Sequence, residues 1–254
     1  MHLIPNDNEL YCPVQKVGTT FWRRFFFQTL NTNKFRHPYQ VPIWLALTEK
    51  YPYPRKGATR QNTSEYFKFM FVRDPYQRIV SAYVDKVFVP NPMFWERFGK
   101  PSIHLFREND TRRCFHDASF LEFVRFVTWA EENKQMLDEH FMTKQDILKC
   151  MTWHDALQKI RRKLQIRGLI DVNYPLPLDA TASEKVDVKR FTQLATEAHR
   201  KSDKKVFNSQ KRALYIELYR TVPKEDLKKL SAGFERDFYI FDYNSMPHEL
   251  FNRS

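Results

Sequence analysis

Two apolar runs, each followed by a short polar loop and then a breaker-free stretch with helical periodicity, constrain this chain more than any other feature. The first run, Leu10-Tyr11-Cys12-Pro13-Val14, reads as a short buried strand leading into Gln15-Lys16-Val17-Gly18-Thr19-Thr20. From Thr20 the aromatics of Phe21–Leu30 recur at helical spacing, and a threonine stands at the start to cap them. The second run, Tyr66–Val72, ends at Arg73-Asp74-Pro75, and Tyr76–Val87 then places Ile79, Val80, Tyr83 and Val84 on one helical face. Strand, loop and helix thus occur twice in the first ninety residues.

The rest of the chain is less regular. The first ten residues are polar and carry no secondary-structure signal. Residues 31–64 contain Pro38, Pro42, Pro52 and Pro54 and read as irregular, with one short helix around Ile43–Lys50. Phe120–Trp129 and Met142–Leu164 read as helices, Gly168–Val172 as a short strand ending before Pro175, and Lys211–Tyr219 and Lys224–Phe238 as the final helices. Residues 181–212 are charged and poorly patterned. Strands mixed with helices at these spacings predict an α/β fold with helices on both faces of a sheet. The 254 residues suit one domain spanning 1–254.

The formal net charge of +12 favours an anionic partner, and nucleic acid, an acidic membrane face and an anionic polysaccharide all satisfy it. The densest basic stretch is His199–Lys205, which suits either a grip on an anion or an ordinary solvated face. No run of 18 apolar residues occurs, so the sequence as given reads as soluble. Cys12, Cys114 and Cys150 lack the spacing of a zinc site and allow at most one disulfide and one spare thiol. No metal site is expected. Asn-x-Ser/Thr triplets at Asn62, Asn109 and Asn252 permit glycosylation in a secretory compartment.

A loop between a strand and a helix N-terminus offers unpaired backbone N–H groups and the positive end of a helix dipole, which suits a phosphate or sulfate. In Lys16–Thr20, Gly18 permits close backbone approach, Thr19 and Thr20 supply hydroxyls, and Lys16 supplies a cation. The loop lacks the GxxxxGK[ST] signature of nucleotide triphosphatases, and its composition alone also fits an ordinary β–α turn. Arg73 at the end of the second strand and Ser81 in the following helix pair a guanidinium with a hydroxyl for one phosphate. Alternatively, Arg73 and Asp74 pair or cap at the junction while Arg78 is solvated.

Together the two segments resemble the signatures of Golgi carbohydrate sulfotransferases that bind 3′-phosphoadenosine 5′-phosphosulfate (PAPS). The likeness is to the chondroitin/dermatan 4-O-sulfotransferase and glucuronyl-epitope branch. Gln15–Arg24 is similar to the family's Pro-Lys-Val-(Ala/Gly)-Cys-Thr-Asn-Trp-Lys-Arg. Phe71–Tyr83 follows its Phe-Val-Arg-(Asp/Glu)-Pro-Phe-Glu-Arg-Leu-Val-Ser-Ala-Tyr almost position by position. Phe120–Val124, Glu139-His140-Phe141 and Asp237–Tyr243 extend the resemblance to most of the chain. Gln15 and Phe21 depart from it, standing where the family carries Pro and Asn. Cys150 alone remains of a family cysteine pair, so a disulfide between those two positions is not available.

The resemblance implies a parallel sheet of the P-loop type flanked by helices, the sulfotransferase fold. It implies transfer of a sulfonate group from PAPS to a glycan hydroxyl without a metal, with a chondroitin- or dermatan-like glycosaminoglycan as acceptor and no nucleic acid. It also implies a Golgi-luminal setting, where relatives are type II membrane proteins whose anchor is missing from this chain. Carried over by position, the donor contacts are Gln15, Lys16, Val17, Gly18, Thr19, Thr20, Phe21, Trp22, Arg73, Asp74, Arg78 and Ser81. Lys16 is the candidate for stabilising the leaving phosphate oxygen, and His37 or His140 for the general base. A descendant that binds glycan or nucleotide without catalysis is the alternative, motivated by Gln15 and Phe21. A P-loop kinase or hydrolase is disfavoured, because Lys16 precedes Gly18.

Overall fold

The computed structural model describes residues 2–4, 9–14, 16–31, 34–48, 67–107, 114–133, 151–175 and 177–252. The chain forms two compact units, residues 1–74 and 75–254. In the first, β1 (His2–Ile4), β2 (Glu9–Tyr11) and β3 (Phe67–Phe69) make a sheet in that order. β1 runs antiparallel to β2, and β2 runs parallel to β3 with Tyr11 opposite Phe69. A parallel pair requires a long crossover, and α1 (Thr19–Leu30) and α2 (Ile43–Thr48) lie within it. β2 stops short of the expected Val14, because Pro13 has no N–H to continue the ladder; Cys12 makes the last bond, donating to Phe69 O at 2.8 Å.

Helical spacing divides the faces of α1. Trp22 and Phe26 turn toward the strands, where they pack with Tyr11, Phe69 and Phe71, and the Trp22 indole lies nearly flat on Phe71 at 3.8 Å. Phe27 faces a separate cluster with Val41 and Ala46. Phe21 and Phe25 share a third face, their rings stacked at 6.3 Å.

Among its described residues the second unit has helices joined by turns and no strand. It comprises α3 (Pro75–Tyr83), α4 (Lys100–Phe106), α5 (Phe120–Glu132), α6 (Trp153–Ile166), α7 (Ala180–Glu184), α8 (Val188–Lys201), α9 (Phe207–Arg220), α10 (Lys224–Gly233), α11 (Glu235–Phe241) and α12 (His248–Phe251). α3 continues into a π-helical turn at Val84–Phe88. Its buried face of Tyr76, Ile79, Val80 and Tyr83 is central to the main apolar core, together with α5, Tyr219, Leu227 and Phe238. Buried tyrosine hydroxyls find carbonyls: Tyr76 donates to Ser245 O at 2.6 Å, Tyr219 to Tyr76 O at 2.8 Å and Tyr83 to Ala118 O at 3.1 Å. α5 opens with a capping box between Ser119 and Glu122.

Several expectations change, beginning with the first ten residues, which carry no signal in the sequence yet include the strand His2–Ile4. Gly168–Val172 is not a strand: α6 ends in a Schellman motif, in which Leu169 N donates to Leu164 O at 2.8 Å and Gly168 N to Gln165 O at 2.9 Å, with Gly168 at φ 63°. Residues 181–212 are ordered helices, each started by an aspartate: Asp179, Asp187 and Asp203 accept from backbone N–H groups of α7, α8 and the turn before α9. The helix expected over Lys224–Phe238 breaks at Phe234 into α10 and α11. Among the described residues, the expected parallel sheet with helices on both faces is therefore a single parallel pair in a three-stranded sheet. The helix expected over Met142–Leu164 is described from Trp153 onward.

Candidate active site

The first unit brings the two strand-end loops together. Arg73, beyond the end of β3, directs Nη1 to the carbonyl of Lys16 at 3.4 Å, across 57 positions of sequence. This follows from the parallel register: β2 and β3 point the same way, so the loops that leave them emerge at the same edge.

The Lys16 loop has an unusual backbone. Lys16 has φ 66° and Gly18 φ 88°, both left-handed. For lysine that conformation costs roughly 1–2 kcal/mol, a cost that turning the loop sharply into α1 imposes. A methyl group at Gly18 would lie 3.7 Å from the Trp22 indole nitrogen, an ordinary contact, so the positive φ and not lack of space demands glycine there. Gly18 is the N-cap of α1, no side chain caps that end, and no acid occupies its first turn. The first N–H groups of α1 therefore stay available to an anion, and the helix dipole adds to their attraction. Residues 10–48 contain no Asp or Glu, while Lys16, Arg23, Arg24, Lys34 and Arg36 fall within them.

The expected site residues divide by what they already do. Lys16 and Val17 are half-buried, Gly18 and Thr20 exposed. The Thr19 hydroxyl is buried and donates to Val14 O, so Thr19 offers an anion its backbone N–H but not its side chain. The Trp22 ring fastens α1 to Phe71, and its indole nitrogen lies beside Gly18. Phe21 meets Tyr39 at 5.6 Å, and Tyr39 stacks on His37 at 5.4 Å. His37 is exposed and accepts the Tyr39 N–H on Nδ1 at 3.2 Å. That bond puts the proton of the neutral ring on Nε2, so the outward nitrogen is a donor; acting as a base there requires breaking the cap. Asp74 is half-buried at the end of this unit. Gln15 and His140 lie outside the described residues.

Arg78 and Ser81 belong to α3 in the second unit. Arg78, expected at the donor, pairs with Asp237 at its guanidinium Nη2 and lies 5.4 Å from the Phe234 ring. With 16% and 31% of their side chains exposed, this pair ties α3 to α11, and Phe238 packs on Tyr76 at 5.3 Å. Ser81 is half-buried one turn along from Arg78.

The sequence profile of the Sulfotransferase family matches residues 3–244, which covers both units and both strand-end loops. The chain belongs to this family. As a sulfotransferase it is 25% identical to mouse carbohydrate sulfotransferase 11 over 98% of its own length and 68% of the relative's. It is 28% identical to mouse carbohydrate sulfotransferase 10 over 96% of its length and 66% of the relative's. Mouse carbohydrate sulfotransferase 8 is 32% identical across 54% of this chain and 32% of the relative. The chain thus spans about two thirds of the curated relatives that it matches along its whole length. No solved structure matches it.

Other features of this sulfotransferase had no clear sequence signal. Cys114 is disulfide-bonded, whereas Cys12 is a free thiol. Lys159 donates to His116 O at 2.8 Å, and burial pushes its ammonium down against the opposing pull of Asp117 and Asp155. Burial and the Lys159 charge likewise push His116 down. Among the described residues no helix is long and apolar enough to cross a membrane, and no group of three or more His, Cys, Asp and Glu side chains is arranged to hold a metal ion.

Proposed function

We propose that this sulfotransferase uses PAPS to sulfate a hydroxyl of a chondroitin- or dermatan-like glycan, in the Golgi lumen, as one catalytic domain spanning residues 1–254. The observation that carries the reading is the approach of Arg73 to an uncapped, acid-free, left-handed loop at the start of α1. Those groups fit a phosphosulfate: the α1 N–H groups and Arg73 receive anionic oxygens, and Lys16 remains for the bridging oxygen. Relatives named carbohydrate sulfotransferases support a glycan as the acceptor.

The donor supplies an activated sulfonate. The acceptor hydroxyl oxygen forms a bond to sulfur as the bond from sulfur to the phosphate oxygen breaks, and the hydroxyl proton passes to a base. Lys16 neutralises the charge that grows on the departing phosphate oxygen, a preorganised contact strongest in the transition state. For the base, His140 remains a candidate by resemblance, and His37 serves only if it releases the Tyr39 N–H. Within this reading Arg73, Asp74 and Ser81 are the donor residues of the second segment, carried over by resemblance, and Arg78 is given to its pair with Asp237.

The test is transfer of labelled sulfonate from PAPS to desulfated chondroitin, dermatan and heparan chains, with Lys16→Ala and Arg73→Ala alongside. Transfer to one polymer, lost in both variants, is the expected result. Binding of 3′-phosphoadenosine 5′-phosphate without transfer to any polymer points to the catalytically silent descendant, which Phe21, packed among Trp22, Phe25 and Tyr39, favours. Absence of nucleotide binding ends the proposal.

A further inference from the structure

The helical unit carries a second concentration of positive charge where α6, α8 and α9 meet. Ser202, buried, accepts from Asp171 N at 3.0 Å and donates to Ala198 O at 2.7 Å. Gln210, also buried, accepts from Val172 N at 2.9 Å and donates to Gln165 O and Ile170 O at 2.7 and 2.9 Å. His199 Nδ1 contacts Leu169 O at 2.6 Å, and its ring lies on Phe207 at 5.8 Å. Gly168 sits so close to Phe207 O that a Cβ there would approach it to 2.9 Å. Three chain segments are therefore locked into one corner by interior bonds, and the backbone that carries the cations is fixed before any ligand arrives.

The cations themselves point away from this lock. Arg200, Lys204, Lys205 and Lys211 are exposed; Arg200 shares the Glu197 carboxylate with Lys201, and no ion pair within 4 Å holds Lys204, Lys205 or Lys211 among the described residues. Lys201 pairs with Glu197 one turn back on α8, and Arg212 with Glu249. Between Ala198 and Ile216 the one carboxylate in the sequence is Asp203, and it is committed to the Lys205 N–H at 2.9 Å. Elsewhere in the same unit the half-buried Lys163 and the exposed Arg167 are answered by Asp85, and the half-buried Arg125 by Asp226.

Spacing turns the cluster into a track. Lys204, Asn208 and Lys211 follow one another at helical intervals into α9, as do Lys205, Ser209 and Arg212, and all six are exposed. Seven residues of helix separate the leading from the trailing cations by about 10 Å along the axis. That is about the length of one disaccharide, with an amide and a hydroxyl side chain between the charges to meet sugar hydroxyls. No exposed aromatic ring interrupts the track, so it lacks the stacking platforms that single-stranded nucleic acid requires.

We infer that the first two turns of α9, with Arg200 beside them, form a docking track for an extended anionic polysaccharide. It holds the polymer by carboxylate or sulfate groups in successive disaccharides. The choice of a polysaccharide rests on the glycan reading above; the track itself rests on the corner's geometry. Its expected action is to keep a long acceptor on the enzyme between transfers, so it lowers KM for polymers and leaves short acceptors unaffected.

Immobilised chondroitin sulfate, unsulfated chondroitin and a short DNA duplex, each titrated with the protein across a salt series, test this. The variant is Lys204→Ser/Lys205→Ser/Lys211→Ser, with 3′-phosphoadenosine 5′-phosphate binding and the melting temperature as controls for an intact fold. The expected result is a loss of tenfold or more in affinity for both polysaccharides, with the slope of log affinity against log salt falling by about two for three cations removed. Unchanged affinity and slope overturn the inference, as does failure of the unaltered protein to bind either polysaccharide. DNA bound as tightly as the polysaccharides, and lost in the same variant, also overturns it by reducing the track to an undiscriminating cation surface. Polysaccharide binding that the variant loses, in a protein that transfers no sulfonate, upholds the track and removes the proposed activity.

Discussion

Two regions treat positive charge in opposite ways: α1 with the loop before it, and the core-facing side of the helical unit. In the first, residues 10–48 place five Lys and Arg around α1 without one carboxylate, and the loop before α1 is bent into left-handed backbone. In the second, guanidinium groups close to the core are neutralised in place: Arg78 by Asp237, Arg107 by Asp117 and Glu122, Arg125 by Asp226. Partnered cations hold helices together. A stretch of sequence that carries no acid of its own suits an anion from outside. On the proposed reading Lys16 and Arg73 serve the donor while Arg78 holds Asp237, although Arg73 and Arg78 stand five residues apart in one motif.

The sharpest break of that contrast comes from Lys16→Ala, expected to lower kcat about 100- to 1,000-fold, the usual effect of losing one preorganised transition-state donor. Its melting temperature should change little; a folded variant with near-normal turnover takes Lys16 out of the reaction. Arg73→Ala comes next. Donor affinity should fall by about tenfold to a hundredfold, as expected for a charge-assisted contact of roughly 1.5–3 kcal/mol, with Arg73→Lys recovering only part of it. Nucleotide titration by calorimetry measures this, and unchanged affinity contradicts the assignment.

Arg78→Ala should act the other way. Removing one side of a largely buried pair should cost about 2 kcal/mol and lower the melting temperature by several degrees. In the folded fraction, donor affinity should change far less than in Arg73→Ala. A double-mutant cycle with Asp237→Ala isolates the pair energy, and a coupling near zero would remove the structural role. The smallest effect is confined to acid. Burial raises the Glu122 carboxyl, but Arg107 and the Ser119 backbone and hydroxyl outweigh it and hold Glu122 below its ordinary value. A folded value below the unfolded one means stability present above about pH 4.3 and lost as pH falls through the folded value. Glu122→Gln should therefore flatten the acid limb of a stability profile while lowering stability at neutral pH.

The sequence shows the frame and hides the details that decide chemistry. The run Phe71–Tyr83 is legible because an apolar strand, an Arg-Asp-Pro stop and a helical face follow one another without ambiguity. Gly168–Val172 misleads because an apolar run after a glycine looks the same whether it begins a strand or folds back over a helix end. The stripe Phe191, Leu194, Ala195 and Ala198 in α8 was readable at helical spacing, but its small residues are outnumbered by the charges around them. The left-handed Lys16 left no trace at all, since lysine carries no preference for that conformation. Partner choice was equally invisible: nothing local marks Arg78 as the partner of Asp237, 159 positions beyond it.

The bond from the Tyr76 hydroxyl to the Ser245 carbonyl spans 169 positions, and Tyr219 closes on Tyr76 from 143 positions away. During synthesis, α3 therefore emerges long before the groups that satisfy it, and its buried hydroxyl waits for almost the whole chain to follow. A ribosome-bound chain that already displays Phe71–Tyr83 holds an unfinished core, so acquisition of protease resistance in the helical unit should coincide with release of the segment around Ser245 and not with completion of α3.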